Sequence, residues 1–370
     1  MASDKIRLGV IGANPNVGWA PRAHLPALMA SADVELTAVC TTRPESAAAA
    51  AQKYGAKLAF HDYRDLVACP DIDAVAVVVR VPSHYEPTRA ALLAGKHVFT
   101  EWPLGKTTAE AEELTALAQQ KGVQGFVGLQ ARVSPAILYL KELVSSGYVG
   151  EVLSCHMSLV RDGVLQRNSD RTWQRDAALG ATTLTIASGH SIDAMRFVVG
   201  DFREMAALVS TQVPQWLEVD TQRMLDVSAP DNILVSGRLT NGAVASVHVA
   251  SIPWAGSGYR MEIYGRQGSL VATGEDSPQL GAVQLQGTRG GGTLEPLDIP
   301  QRLRVVPDSM PQGAPYNVGQ LYAHFARAIR TGDASPSYAT FETAVDLHRL
   351  IDTLSASSTS GRQLAATARS

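Results

Sequence analysis

The sequence has few cysteines, no excess of charge of either sign and no long apolar run, and each shortage excludes a class of protein. Its 370 residues include three cysteines, Cys40, Cys69 and Cys155, whose spacing suggests neither a disulfide framework nor a zinc site. The 32 basic and 35 acidic residues give a formal net charge of -3, which argues against the basic face that nucleic-acid binding needs. We therefore expect no metal ion and no nucleic-acid partner.

No apolar run approaches the roughly 18–20 residues that a membrane-spanning helix needs, so we expect no membrane partner. Met1–Lys5 contains no apolar signal stretch, which predicts a cytoplasmic protein. Hydrophobic residues make up 45% of the chain and charged residues 18%, as in an ordinary globular protein. The length allows two domains with cores of their own.

The first third of the chain alternates short apolar runs with amphipathic stretches, as βαβ units do. The candidate strands are Ile6–Ile11, Val34–Cys40, Ala74–Val79, His97–Thr100 and Gly125–Leu129, and the candidate helices are Arg22–Ala30, Glu45–Tyr54, Tyr85–Ala94 and Thr107–Lys121. Ala74–Val79 has no polar residue, which predicts a central strand covered on both faces. The pattern predicts an α/β protein with a Rossmann-type parallel sheet in a dinucleotide-binding domain over residues 1–130.

From Glu151 onward the pattern changes to longer strands. Asn241-Gly242 separates two of them, and this dipeptide favours a tight hairpin turn. The candidate elements here are strands at Asn232–Thr240, Ala243–Ser251, Tyr259–Tyr264 and Ser269–Thr273, helices at Thr183–Val199, Val318–Arg330 and Phe341–Ser355, and a glycine-rich surface loop at Gly287–Thr293. Residues 131–370 are therefore predicted to form an α+β domain with a mostly antiparallel sheet.

A glycine-containing loop follows the first predicted strand. A nucleotide-binding loop needs a sharp turn, so that main-chain N–H groups and a helix N-terminus can face the pyrophosphate. Gly12 fits the first glycine of that motif, whereas the second position holds Asn14 and the third glycine is displaced to Gly18. The cofactor-binding candidates in this loop are Gly12, Asn14, Pro15, Asn16 and Val17. The alternative is an ordinary structural turn between strand and helix.

The end of the second strand discriminates between the two nicotinamide dinucleotides. An acid there binds the ribose hydroxyls of NAD and repels a 2′-phosphate. This chain has Thr41, Thr42 and Arg43 instead, with no acid before Glu45. Two hydroxyls and a guanidinium favour NADP, although NAD remains possible. The alternative for Arg43 is a solvated residue at a helix start.

Four motifs together resemble the glucose–fructose oxidoreductase/inositol dehydrogenase/MocA (Gfo/Idh/MocA) family. They are Val81–Glu86, Ala94–Leu104, Ser188–Asp193 and Ile263–Gly268. The resemblance implies a Rossmann domain followed by an α+β domain for substrate binding and oligomerisation, with a large open sheet that often forms a dimer interface. It also implies a nicotinamide cofactor and a small carbohydrate-like ligand.

Two positions depart from the family pattern. Family members have Glu-Lys-Pro, with a lysine near the nicotinamide, where this chain has Glu101-Trp102-Pro103. The family's aspartate four residues before its catalytic histidine is replaced here by Ile186. Tryptophan donates a hydrogen bond but cannot exchange a proton with a substrate. The Glu-Trp-Pro variant and the long glycine loop resemble the branch that contains the fungal galactose-gene repressor.

The resemblance implies two catalytic-site residues, His190 as the proton-transfer group and Trp102 as a wall of the pocket. A neutral imidazole is a suitable general base near pH 7. The alternatives are a hydrogen-bonded structural histidine and a tryptophan that fills an unused site. The further cofactor-binding candidates are Pro82, His84, Glu101, Trp102 and Gln130. His84 can alternatively cap the helix that follows, and Asp193 either orients His190 or faces solvent.

These observations predict an NAD(P)-dependent oxidoreductase that transfers a hydride to or from a sugar, polyol or similar compound. Two alternatives stay open. One is a non-catalytic dinucleotide-binding regulator, and the other is an enzyme that uses bound cofactor for transient oxidation. The expected partners are a small-molecule ligand and further copies of the chain in a homodimer or higher homo-oligomer.

Overall fold

The computed structural model describes residues 5–332 and 337–366. The strands are β1 (Ile6–Ile11), β2 (Val34–Cys40), β3 (Leu58–Phe60), β4 (Ala74–Val77), β5 (His97–Glu101), β6 (Gly125–Gly128), β7 (Val152–Arg161), β8 (Gln166–Arg167), β9 (Phe202–Ser210), β10 (Gln215–Glu218), β11 (Arg223–Asp226), β12 (Asn232–Leu239), β13 (Val244–Ser251), β14 (Gly258–Gly265), β15 (Gly268–Gly274), β16 (Gln284–Arg289), β17 (Glu295–Pro296) and β18 (Leu364–Ala365).

The α-helices are α1 (Leu25–Met29), α2 (Pro44–Tyr54), α3 (Tyr63–Ala68), α4 (Tyr85–Leu93), α5 (Thr108–Lys121), α6 (Pro135–Ser145), α7 (Gly189–Val199), α8 (Ala314–Thr331) and α9 (Phe341–Ser360). Two π-helical turns, Ala20–His24 and Thr183–Ser188, lead directly into α1 and α7. Over the described ranges, no helix combines the length and the apolar character that crossing a membrane requires.

The first compact unit contains a six-stranded parallel sheet in the order β3-β2-β1-β4-β5-β6. This is the strand order of a Rossmann fold, so the predicted fold class of this part is confirmed. Every residue of β4 is buried, as its uninterrupted apolar sequence predicted. The order of the strands reverses between β1 and β4, and such a switch point is where ligands bind to open α/β sheets.

A late helix completes the core of this first unit. Val318, Leu321, Tyr322 and Phe325 on α8 are fully buried in the same hydrophobic cluster as residues of β1, β5 and β6. The unit therefore combines Met1–Val133 with Arg304–Val345, whereas the sequence placed its boundary at residue 130 and assigned α8 to the second domain. Helix α8 joins the first unit because its apolar face packs there.

The second unit is built on a nine-stranded sheet in the order β17-β16-β15-β14-β7-β13-β12-β9-β18. Its neighbouring strands pair antiparallel except β7 and β13, which are parallel, so the predicted mostly antiparallel sheet is confirmed. Asn241 and Gly242 form the turn between β12 and β13, as predicted. A separate three-stranded sheet in the order β11-β10-β8 belongs to the same unit.

One predicted loop is wrong in its first half. Gly287 lies inside strand β16, which pairs with β15, and only the glycines after Arg289 form a turn. A Cβ atom on Gly287 would lie 2.8 Å from a methyl group of Leu297 and 2.9 Å from the hydroxyl of Tyr148. This glycine therefore serves close packing within a strand, although in the sequence it reads as part of a flexible run.

Candidate dinucleotide and substrate site

The loops that carry the predicted cofactor residues meet at one edge of the first unit. The sheet is parallel, so all its strands end at the same edge. Gly12–Val17 follows β1, Thr41–Arg43 follows β2, and Pro82 and His84 follow β4. Glu101 is the last residue of β5, with Trp102 after it, and Gln130 comes after β6.

The turn after β1 requires glycine at its first position. Gly12 has φ +93°, and a Cβ atom there would lie 2.2 Å from the carbonyl oxygen of Val78. Asn14 holds the rest of the loop, because its side-chain oxygen accepts hydrogen bonds from the backbone N–H groups of Asn16 at 3.0 Å and Val17 at 3.3 Å. The asparagine in place of the second glycine thus stabilises the turn rather than interrupting it.

The remainder of this loop suits an anionic ligand. Pro15 is buried and its carbonyl accepts a hydrogen bond from Lys53 on α2 at 3.0 Å, while Asn16 and Val17 are exposed. The π-helical turn Ala20–His24 begins immediately after the loop and continues into α1. A helix start at the switch point of the sheet offers unpaired N–H groups to a pyrophosphate. The residues present therefore fit a dinucleotide.

The three residues after β2 divide into one that shapes the turn and two that face solvent. The hydroxyl of Thr41 is mostly buried and donates a hydrogen bond to the carbonyl of Arg43 at 2.9 Å. Thr42 and Arg43 are exposed, and Arg43 forms the N-terminal boundary of α2 without capping it through its side chain. The guanidinium of Arg43 takes part in no ion pair with the residues that the structure describes, so its charge is available to a ligand.

Glu101 is held inside the protein by a chain of hydrogen bonds. One carboxylate oxygen lies 2.8 Å from His24 Nε2 and accepts a hydrogen bond from the Gln130 amide at 2.8 Å. On the other side of the imidazole, His24 Nδ1 lies 2.7 Å from the Tyr322 hydroxyl. Gly128 leaves room for this carboxylate, since a Cβ atom there would lie 2.7 Å from a Glu101 carboxylate oxygen.

His24 and Tyr322 are residues that sequence reasoning missed. They are 298 positions apart, and both are fully buried. Nothing in the local sequence marks either of them, because their importance comes from the packing of α8 against the Ala20–His24 turn. Glu101 and Gln130 were predicted to bind cofactor, and the structure shows that they bind each other.

His84 joins two loops of the same edge. Its Nδ1 lies 2.7 Å from the carbonyl oxygen of Pro103 and its Nε2 lies 3.0 Å from that of Val79. Burial lowers the pKa of His84 below its ordinary value, so the ring is neutral at pH 7 and donates to one carbonyl at a time. The side chain makes no hydrogen bond to the start of α4, which was the alternative role. Its position fixes the segment that contains Trp102.

Trp102 is 3% exposed and is joined to Pro103 by a cis peptide bond. Pro82 lies in the short helical turn between β4 and α4 and is partly exposed. Both residues are therefore part of the same edge as the glycine loop. An indole here supplies a flat apolar surface and one N–H donor, but no group that exchanges a proton at neutral pH.

His190 belongs to the second unit, where it lies in the first turn of α7. The whole helix is buried, and His190 itself is 6% exposed. Asp193 is completely buried, so it does not face solvent, which was one of its two predicted roles. Ile186 precedes His190 by four residues in the π-helical turn and carries no polar group. The position at which the resembled family has its aspartate is therefore apolar in this chain.

Comparisons with known proteins agree with this architecture. Residues 6–129 match the family model of an oxidoreductase family with an NAD-binding Rossmann fold, and residues 135–274 match a model of the Gal80p C-terminal domain. The chain is 32% identical to dehydrogenase aclE of Aspergillus oryzae over 74% of this chain and 78% of that protein. The chain belongs to the Gfo/Idh/MocA family of oxidoreductases.

This family contains both dehydrogenases and regulators among the relatives of the chain. The galactose/lactose metabolism regulatory protein GAL80 of Saccharomyces cerevisiae is 29% identical over 65% of this chain and 59% of its own length. A super-repressor mutant of Gal80p has the same fold, with a TM-score of 0.86 over 98% of each chain at 23% identity. Levoglucosan dehydrogenase in complex with NADH has a TM-score of 0.84 over 98% of this chain and 99% of its own, also at 23% identity.

Proposed function

We propose that this family member is an NAD(P)-dependent dehydrogenase that acts on a hydroxyl or carbonyl group of a sugar or polyol. The observation that carries the proposal is the convergence of the Gly12 loop, the exposed Arg43 and the Trp102 segment at one edge of the first unit's sheet. The relationship to dehydrogenase aclE supports the same class of activity.

The nicotinamide cofactor, when bound, accepts or donates the hydride, and the protein supplies binding and proton transfer. The Gly12–Val17 loop and the following helix start would hold the pyrophosphate, and the Thr41–Arg43 turn would hold the adenosine ribose. We assign proton transfer to His190, whose imidazole would take the proton of the substrate hydroxyl as the carbon loses its hydride. Trp102 would form a wall of the pocket.

The test is nicotinamide absorbance at 340 nm when purified protein and oxidised cofactor are mixed with a panel of sugars and polyols. We expect turnover with at least one compound. His190→Ala should lower that turnover by roughly 10²–10⁴-fold. The same variant should keep its affinity for the cofactor, measured by fluorescence titration. Full turnover in His190→Ala would contradict the assignment of proton transfer.

A second candidate is a dinucleotide-binding regulator without turnover. The observation that favours it is the replacement of the family's lysine by the buried Trp102, together with Ile186 in the aspartate position. Cofactor binding in the absence of any absorbance change, across the whole panel and in both reaction directions, would favour this candidate over the dehydrogenase.

We expect a preference for NADPH over NADH because Arg43 is exposed and uncompensated. A charge-assisted contact between a guanidinium and the 2′-phosphate contributes about 1.5–3 kcal/mol, or roughly 10–150-fold in affinity. Fluorescence titration of both cofactors measures the preference. Arg43→Ala should abolish the preference. Arg89→Ala should leave it unchanged, because Arg89 on α4 is paired with Glu113 on α5. Equal affinity of the native protein for both cofactors would refute the preference.

We also propose a homodimer through the open face of the nine-stranded sheet. Leu208 and Leu234 are 56% and 44% exposed and lie directly opposite each other on β9 and β12, and Val244 on β13 is 53% exposed. Contiguous exposed apolar side chains on a sheet mark an interaction surface. Light scattering should give a dimer mass that Leu234→Glu lowers to a monomer, while Leu93→Glu on α4 of the first unit leaves it unchanged. A monomeric native protein would exclude this interface.

A further inference from the structure

The second unit contains a half-buried arginine, Arg167, and a buried tryptophan, Trp216, each with a buried N–H that lacks an acceptor. The guanidinium of Arg167 on β8 lies over the ring of Trp216 on β10, with its central carbon 4.6 Å from the ring centroid. Trp216 is 4% exposed. Across residues 5–332 and 337–366, no group accepts a hydrogen bond from Arg167 Nε or from Trp216 Nε1, although both atoms are buried.

The charges around Arg167 make this arrangement costly in the free protein. Arg161 and Arg171 are the charged neighbours that act on it, and both are positive. Arg161 has a carboxylate of its own, because its Nε lies 3.2 Å from Asp276. Burial and the like charges lower the pKa of Arg167 to about 10. A guanidinium whose buried Nε has no acceptor, and which lies close to two further arginines, is suited to an anionic ligand.

The nearby carboxylate does not supply that partner. Glu218 is two residues after Trp216 and pairs in register with Arg167. It accepts hydrogen bonds from Thr172 at 2.7 Å, Thr221 at 2.6 Å and the Arg223 guanidinium at 2.7 Å. These hydrogen bonds lower the pKa of Glu218 to about 2, and the one from Thr221 has the largest effect. Its charge is therefore already committed to Arg223.

We propose that Arg167, with Trp216 beside it, forms a binding site for an oxyanion, either a free ion or the acidic group of a small ligand. The planar guanidinium presents donors in a fork that matches two oxygens of a phosphate or a carboxylate, and an anion there would offset the charge of Arg167. Contact with the Trp216 ring holds the Arg167 guanidinium in place before the ligand binds. The site lies on the three-stranded sheet of the second unit.

The experiment is thermal unfolding of the full chain in inorganic phosphate, in acetate and in chloride at equal ionic strength. We expect a saturable rise of the Tm, by about 2–4 °C at saturation, in phosphate or acetate but not in chloride. A response to phosphate alone assigns the site to phosphate groups, and a response to both anions assigns it to oxyanions in general. Equal Tm values in the three salts would overturn the proposal and indicate an ordered water at the two donors.

Arg167→Met is the decisive variant, because it keeps much of the side-chain volume and removes the charge. It should lose the anion-dependent rise while unfolding in chloride at the same Tm as the native protein or higher. Arg266→Met removes an exposed arginine paired with Glu151 in the same unit and should keep the rise. If Arg167→Met does not fold, Arg167→Lys and Trp216→Phe answer the question, since each should weaken the saturating response severalfold. An unchanged response in the variants of Arg167 would refute the site.

Discussion

The first unit buries the Glu101 side chain and the second unit half-buries the Arg167 side chain, and the two differ in what surrounds them. In the first unit the Glu101 carboxylate is joined to His24 and Gln130, and the chain of bonds ends at Tyr322. In the second unit the Arg167 guanidinium has an aromatic face and like charges around it. A buried group with its own partners holds the fold, whereas a buried group without them is positioned for a partner from outside.

This difference indicates that Glu101 has a structural role in the Glu101-Trp102-Pro103 segment. Because the Glu101 carboxylate is occupied by His24 and Gln130, its first role is to anchor the end of β5. His84 anchors Pro103, the residue after Trp102, through the Pro103 carbonyl. Trp102 lies between two anchored neighbours, so its indole is held at the sheet edge by the backbone as well as by packing.

The largest effect we expect is from removing the centre of the first network. His24→Ala deletes the group that bonds both Glu101 and Tyr322 and leaves a cavity, which should lower the free energy of unfolding by about 3–5 kcal/mol. Chemical denaturation monitored by circular dichroism measures it. His61→Ala, at an exposed position in the same unit, should change stability by no more than about 0.5 kcal/mol. Similar small losses in both variants would show that Glu101 does not depend on His24.

The sequence predicted what depends on local pattern. The buried strand β4 and the Asn241-Gly242 hairpin follow from neighbouring residues. The fold class followed from the order of such elements. Gly287 was wrong because a glycine inside a strand and one in a loop look alike in the sequence.

The candidate site was predictable only in part, for a physical reason. The residues at the ends of β1, β2, β4 and β5 could be found because each follows a recognisable strand. The partners of Glu101 could not, because His24 and Tyr322 meet through the packing of α8 onto the sheet. Arg167 and Trp216 likewise meet through the parallel pairing of β8 with β10, which a two-residue strand does not reveal. The roles of His190 and Trp102 remain predictions.

Acid should reduce stability through buried histidines in both units. Burial lowers the pKa of His84, and it lowers that of His348 on α9 to about 4. The folded protein then binds fewer protons than the unfolded chain between about pH 6.5 and pH 4. Stability is therefore complete above about pH 6.5 and falls as the pH decreases, by on the order of 3 kcal/mol for His348.

Urea denaturation at a series of pH values between 7 and 4 measures this loss. His348→Leu should make the dependence of unfolding free energy on pH shallower, because the group that must charge on unfolding is gone. His61→Ala should leave the slope as it is in the native protein. An identical slope in His348→Leu would mean that the protonation of other groups accounts for the acid sensitivity.

The smallest effect tests the end of the hydrogen-bond chain at Tyr322. His24 Nε2 lies 2.8 Å from a Glu101 carboxylate oxygen, and His24 Nδ1 lies 2.7 Å from the Tyr322 hydroxyl, which can donate to it or accept from it. Tyr322→Phe keeps the ring beside Phe99, at 5.3 Å between centroids, but leaves Nδ1 without this partner. We expect a loss of about 1–3 kcal/mol from the buried unsatisfied nitrogen. Tyr259→Phe is the matched control, because the hydroxyl of this buried tyrosine donates to the Met261 sulfur at 3.7 Å, which is a weak acceptor, and its removal should cost little. Equal losses in the two variants would show that the cost comes from the missing oxygen atom alone and that the imidazole does not require this partner.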